Sequence, residues 1–353
     1  MSVKVIKIDK EQRNQDTFEG TLAAAGQILR KGGLVAFPTE TVYGLGANAL
    51  DKEAAFKIYT AKGRPSDNPL IIHIATMESL PVIARVIPEK AVALAKKFWP
   101  GPLTMIFPKT DAVPPEITGG LDSVAVRIPN HQLALALIAA GGGYIAAPSA
   151  NTSGRPSPTK AEHVIADLNE CIDMVVDGGD VAIGLESTIV DFASDEITIL
   201  RPGYITQAMI EEVIGKINTK SAALMVDAKA VPKAPGMKYS HYAPKAPMFV
   251  VRGEEQMVAS EIRRRVQADI ASGYCPGVIC ADENIKEYPQ GIVKSLGGKE
   301  DEDSIAKALY SVLRDFDEDN VTGIYSEAFD TPRLGLAIMN RLEKAAGYKI
   351  IKV

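Results

Sequence analysis

The sequence predicts an α/β protein in two parts, a helix-covered sheet over residues 1–217 and a smaller α/β unit over 248–353. Three observations carry this. Short apolar, β-branched runs alternate with longer amphipathic stretches through the first part, the pattern of a sheet covered by helices. The composition then changes at 218–247, NTKSAALMVDAKAVPKAPGMKYSHYAPKAP, which is rich in Pro, Ala and Lys and keeps no period, as an interdomain linker does. Beyond it the alternation resumes. A chain of 353 residues with 46% hydrophobic content is long enough for two cores.

Taken in order, the strands of the first part are expected at 34–37 (LVAF), 70–74 (LIIHI), 103–107 (LTMIF) and 124–128 (VAVRI), then at 144–147 (YIAA), 174–177 (MVVD), 188–192 (TIVDF) and 197–200 (ITIL). Helices are expected between them at 17–31, 52–61, 88–98, 131–140, 161–168 and 206–214. The adjacent runs at 188 and 197 leave no room for a crossover helix and predict antiparallel pairing. In the second part, MFVV, GVICA and VTGIYS read as strands, with helices at 254–271, 303–315 and 332–346. No internal repeat or low-complexity tract interrupts the pattern.

Net charge is −5, so no global attraction to nucleic acid or acidic membrane is expected, and an anion site must be a local concentration of Lys and Arg. Cys171, Cys275 and Cys280 are odd in number and not spaced as zinc ligands, which argues against a disulfide framework and structural zinc. The apolar stretches are too short to span a bilayer, and MSVKVIKIDKEQRNQD lacks the apolar core of a signal peptide. A cytoplasmic protein is the expectation.

Gly44-Leu45-Gly46-Ala47-Asn48-Ala49 satisfies the G-x-G-x-x-A dinucleotide fingerprint. Its surroundings do not. In a dinucleotide fold the glycines follow the first strand directly and an acid ends the second. Here PTETVY intervenes, LIIHIAT ends in Thr76, and Lys62-Gly63-Arg64-Pro65 precedes it. Two cations suit phosphate rather than a ribose diol.

The remaining polar residues recur at the C-terminal ends of apolar strands: Thr39, Glu40 and Thr41, then His73, Arg127, Ser149 with Asn151, and Arg201. Open α/β sheets bind ligands beyond such ends. Taken alone, His73 reads as a core histidine, Ser149 and Asn151 as turn formers, and KGRP as a solvated loop. Arg127 and Arg201 are charges closing apolar strands, so each needs an anionic partner, whether a structural carboxylate or a bound anion.

In order along the chain stand PTETVYGLG, KGRP with NPLIIHI, PGPLT, VAVRIP, PSANTSGRPSPT, LESTIVD and LRPG, then APGMKYSHYAP and a small α/β domain. This series resembles the two-domain YrdC-like L-threonylcarbamoyladenylate synthases over essentially the whole chain. The resemblance implies a twisted mixed open sheet with helices and a cationic concavity, followed by a smaller Rossmann-like domain. It makes PTET a lining of the substrate site and the adjacent glycines a tight turn. It implies condensation of L-threonine, bicarbonate or CO2, and ATP into threonylcarbamoyl-AMP with release of pyrophosphate, for modification of tRNA completed by downstream transfer proteins. Residue by residue, Thr39, His73, Arg127 and Ser187 resemble the threonine-binding set. Lys62, Arg64, Thr118, Ser149, Asn151, Ser157 and Arg201 resemble the ATP-binding set, with Tyr239 approaching from the linker and Lys62 and Arg64 carrying the catalytic charge. Mg²⁺ is expected on the phosphates, with no dedicated carboxylate cluster for it.

Two rivals remain on the residues alone. One is a non-catalytic RNA-binding module using the same cationic concavity, against which stand the net acidity and the lack of aromatics around KGRP. The other is a carbamoyl transferase or hydrolase carrying a similar domain, in which zinc-finger and acylphosphatase segments are expected upstream, whereas this sequence opens almost directly on the synthase-like motifs. Lys238, Tyr239, His241 and Tyr242 are unusual for a passive tether and suggest an active-site lid, with aromatic glue between the two domains as the alternative.

Overall fold

The computed structural model describes residues 3–8, 15–217, 234 and 241–353. Two compact units make up the chain: 1–153, 157–182 and 186–238 form the first, and 239–353 with the short excursions 154–156 and 183–185 form the second.

In the first unit the described strands are β1 (Lys4–Lys7), β2 (Val35–Pro38), β3 (Tyr43–Asn48), β4 (Ile71–His73), β5 (Leu103–Pro108), β6 (Ser123–Arg127), β7 (Ile145–Ala146), β8 (Met174–Asp177), β9 (Thr188–Asp191) and β10 (Thr198–Arg201). They form one mixed sheet in the order β1-β8-β2-β3-β7-β4-β6-β5-β9-β10. Strands β9 and β10 pair antiparallel, as their short separation predicts. Alternation along β2 sends Ala36 to one core, with Ile58, Ile72, Met105 and Val126, and Val35 and Phe37 to another, with Leu29, Leu137 and Val176. Both faces are therefore buried.

Two strands escape the sequence pattern. In β1, KVIK presents mostly exposed side chains at the sheet's edge and offers little apolar signal. The other is β3, where the structure corrects the expected tight turn: Tyr43–Asn48 is a strand paired antiparallel with β2 from Pro38↔Tyr43 to Val35↔Gly46. Gly46 serves packing here, since a Cβ on it would stand 2.8 Å from the Phe37 ring and 2.9 Å from Ile145. The turn itself is 39–42, and the helix that follows begins only at Lys52, which removes the dinucleotide reading.

That helix, Lys52–Lys62, is capped by Asp51, whose side chain accepts from Glu53 N at 2.9 Å. It stops at Gly63, whose φ of 61° is the left-handed conformation favouring glycine. This stop sets Lys62 in the last turn and Arg64 just beyond it.

The second unit is a sheet of five parallel strands, β11 (Met248–Arg252), β12 (Pro276–Cys280), β13 (Ile292–Ser295), β14 (Gly323–Glu327) and β15 (Ile350–Lys352), in the order β13-β12-β14-β11-β15. Helices Glu255–Ala271, Glu302–Glu318 and Gly335–Ala345 connect them. Tyr242 and Lys245 belong to this unit: the Tyr242 ring packs 5.2 Å from that of Tyr310, and Lys245 N donates to Asp317 at 2.6 Å.

Candidate active site

The turn between β2 and β3 is built by its threonines. Thr39 Oγ1 donates to Val42 O at 2.7 Å and accepts from the amides of Thr41 and Val42, a side chain closing its own turn. The hydroxyls of Thr39 and Thr41 stand 2.9 Å apart. Arg127, the last residue of β6, reaches this turn: Nη1 donates to Thr41 Oγ1 at 2.9 Å and Nε to Gly101 O at 3.2 Å. Its Nη2 lies 2.7 Å from Glu40 Oε2, an almost fully buried ion pair that is not at hydrogen-bonding angles. The structural carboxylate left open for Arg127 by the sequence is thus Glu40.

His73, closing β4, is in parallel register with Arg127. Burial, reinforced by the Arg127 charge, pushes its imidazole down to about 3, so it is neutral across ordinary pH. Its Nδ1 lies 3.3 Å from Ile71 O.

The segment 101–104 carries the cluster onward. Gly101 O holds Arg127, Pro102 O accepts from Thr188 N at 3.0 Å, and Thr104 Oγ1 lies 2.7 Å from Ser187 Oγ. Arg201, closing β10, donates Nε to Ser187 O at 3.0 Å and Nη2 to Ser187 Oγ at 3.1 Å. A residue assigned to the nucleotide set therefore touches one assigned to the threonine set, so the two sets share a border.

On the other side of the turn, Lys62 places its ammonium 2.5 Å from Ser149 O, on Asn151 O, and 3.5 Å from Asn151 Oδ1. Ser149 Oγ donates to that same Oδ1 at 2.6 Å. The group is tied to β3, because Ala150 N donates to Tyr43 O and Tyr43 N donates to Pro158 O. Next to Pro158, Ser157 donates to Glu186 Oε1 at 2.6 Å, and Glu186 immediately precedes Ser187. Arg64 donates to Asn68 O at 3.2 Å and Pro69 O at 3.0 Å. Thr118 is buried nearby, donating to Leu121 O at 2.8 Å, while Ile117 O accepts from Leu70 N. Tyr239 lies outside the described residues.

The structure does not leave KGR as the solvated loop that the residues taken alone would suggest. Lys62 is 2% exposed and Arg64 9%, and both spend donors on protein carbonyls. Sequence reasoning also left Thr104 and Glu186 out of the site; a lone Thr inside LTMIF was the available signal for the first. Among the described residues no group of three or more His, Cys, Asp or Glu side chains is placed to hold a metal ion.

Comparison with known proteins bears on what this cluster does. Residues 27–203 match the Sua5, YciO and YrdC family, described as telomere recombination, and residues 205–347 match the threonylcarbamoyl-AMP synthase C-terminal domain. The threonylcarbamoyl-AMP synthase of Bacillus subtilis is 49% identical over 95% of this chain and 96% of its own. The chain belongs to the threonylcarbamoyl-AMP synthase family. A synthase from Pyrococcus abyssi is 50% identical over the same shares of the two chains. The crystal structure of P. abyssi Sua5 complexed with L-threonine superposes with a TM-score of 0.91 at 46% identity, covering all of both chains. The Bacillus and Pyrococcus synthases extend over both matched parts of this chain, in keeping with the two-domain form read from the motif series.

Proposed function

We propose that the protein synthesises L-threonylcarbamoyl-AMP from L-threonine, bicarbonate and ATP, releasing pyrophosphate, for threonylcarbamoyl modification of tRNA. The observation that carries this reading is the joining of Arg127, His73, Thr39 and Ser187 to the Lys62–Ser149–Asn151 group by one hydrogen-bonded framework, in a chain about half identical to named synthases over nearly its full length.

The substrates bring their own nucleophile. Threonine's deprotonated amine captures CO2 as a carbamate, whose oxygen attacks the α-phosphorus of ATP as pyrophosphate leaves. The protein is asked to position these groups and to stabilise phosphate charge. Arg127 is fixed through Nε and Nη1 while its Nη2 hydrogens are not spent on hydrogen bonds, leaving donors for threonine's carboxylate. Neutral His73 acts by hydrogen bonding, not as a cation. The hydroxyls of Thr39 and Ser187 fit the threonine side chain. Lys62, Arg64 and Arg201, with Thr118, Ser149, Asn151 and Ser157, would hold the nucleotide. Mg²⁺ fits this donor set only as a companion of the triphosphate, since the described residues offer no carboxylate cage, and there it would neutralise phosphate charge.

No helix among the described residues is long and apolar enough to cross a membrane. A cytoplasmic location, where ATP and tRNA are available, suits the reaction, and the product would pass to tRNA-transfer proteins. Pyrophosphate release from ATP, measured with threonine and bicarbonate supplied together and each withheld, tests the proposal. Release that ignores either omission contradicts it, and a site that bound only RNA would release none.

A further inference from the structure

Glu40 stands between the two threonines of the β2–β3 turn, in contact with the guanidinium assigned to threonine's carboxylate, and is 7% exposed. Among the described residues neither of its carboxylate oxygens receives a hydrogen bond. Oε2 has the charge of Arg127 beside it at 2.7 Å; Oε1 has no donor. The neighbouring hydroxyls do not supply one, because Thr39 donates to Val42 O and the Thr41 hydroxyl faces Thr39 and Arg127. A buried carboxylate oxygen without a donor is costly and is normally satisfied by a partner.

The substrate of the proposed reaction carries the missing donor. An α-amino acid sets an ammonium one carbon away from its carboxylate, and the turn sets a carboxylate beside a guanidinium, so the two pairs are complementary in charge and spacing. We propose that Glu40 accepts a hydrogen bond from the α-amino group of threonine and, after CO2 capture, from the carbamate N–H. This holds the nitrogen while the new carboxylate turns toward the nucleotide, and it makes the pocket select α-amino acids over α-hydroxy acids of the same shape. The inference rests on the functional reading above.

The test compares binding of L-threonine with that of 2,3-dihydroxybutanoate, its analogue with hydroxyl in place of the amine, by calorimetry on the full chain and on Glu40→Gln. The wild type is expected to prefer threonine by at least about tenfold, the scale of one hydrogen bond between charged groups. Glu40→Gln is expected to lose most of that preference through weaker threonine binding, with the analogue little changed. Equal weakening of both ligands would mean that Glu40 serves only to hold Arg127 and would overturn the inference, as would unchanged threonine binding. If Glu40→Gln does not fold, a crystal structure of the wild type with threonine decides: the α-nitrogen within about 3.2 Å of a Glu40 oxygen supports the contact, and a separation beyond hydrogen-bonding reach overturns it. A wild type that binds neither ligand would instead overturn the functional reading, and this inference with it.

Discussion

Replacing Lys62 by Met removes the ammonium and keeps a side chain of similar length, so it isolates what the buried charge contributes. The lost contacts include the two close ones to Ser149 O and Asn151 O. Hydrogen bonds from a charged donor are worth about 1.5–3 kcal/mol each, roughly 3–6 kcal/mol for the two. Against this, the variant no longer desolvates an ammonium at a 2% exposed position, which offsets several kcal/mol. The net loss is about 1–3 kcal/mol, because the two carbonyls stay buried whichever side chain faces them. For a unit of this size that lowers the melting temperature by about 2–12 °C. Pyrophosphate release should fall by about two orders of magnitude or more, the effect of losing one preorganised electrostatic contact. The assays are a thermal melt and single-turnover pyrophosphate release. A melt unchanged within error would refute the caged-ammonium account and restore the solvated loop; unchanged turnover would remove Lys62 from the chemistry.

Arg127→Ala leaves Glu40 buried without its cation, and breaking such a pair costs about 3–5 kcal/mol, so a large drop in melting temperature should accompany weaker threonine binding. If the melt is unaffected while threonine binding fails, the pair has no structural weight. His73 is held near 3 when folded against about 6.5 when unfolded, so only the unfolded chain takes up its proton between these values. Stability should therefore fall as pH drops below about 6.5, by up to roughly 1.4 kcal/mol per unit from this group, and His73→Asn should flatten that slope in melts between about pH 5 and 7.5. Identical slopes would show that His73 is not the titrating group. Serine should be a poorer substrate than threonine by about 1–3 kcal/mol in kcat/KM, the contribution of one methyl in an apolar pocket, and equal turnover would contradict a pocket built around that methyl.

The fold was legible where apolar runs were long enough to mark buried strands. LIIHI, LTMIF and VAVRI became β4, β5 and β6 because few other structures bury such segments on both faces. β3 was hidden because its glycines read as a turn, and what requires Gly46 is Phe37 across the hairpin and Ile145 on the next strand, neither near it in sequence. β13 and β15, IVKS and IIK, are short edge strands with half-exposed side chains. Thr39, His73, Arg127, Ser149, Asn151 and Arg201 were visible as charges and polar groups closing apolar strands, whereas Thr118, Ser157 and Ser187 came only from the family resemblance. Their partners were not visible, because the cage around Lys62 is made of carbonyls from 149 and 151, and backbone acceptors leave no mark in side-chain identity. For the same reason KGR, read as a phosphate-binding pair, carried no sign of how deeply Lys62 and Arg64 are buried. Glu40 was seen beside the strand end, but its pairing with Arg127 depends on two segments far apart in the chain meeting at the turn.

The central claim is that this framework positions threonine, CO2 and ATP for a single displacement at the α-phosphorus. Its most direct test is pyrophosphate release by the purified protein, with the other product identified by mass. The account predicts stoichiometric pyrophosphate and threonylcarbamoyl-AMP, and none of either without threonine or bicarbonate. Release of inorganic phosphate with ADP, or of pyrophosphate without a carbamoylated nucleotide, would contradict it.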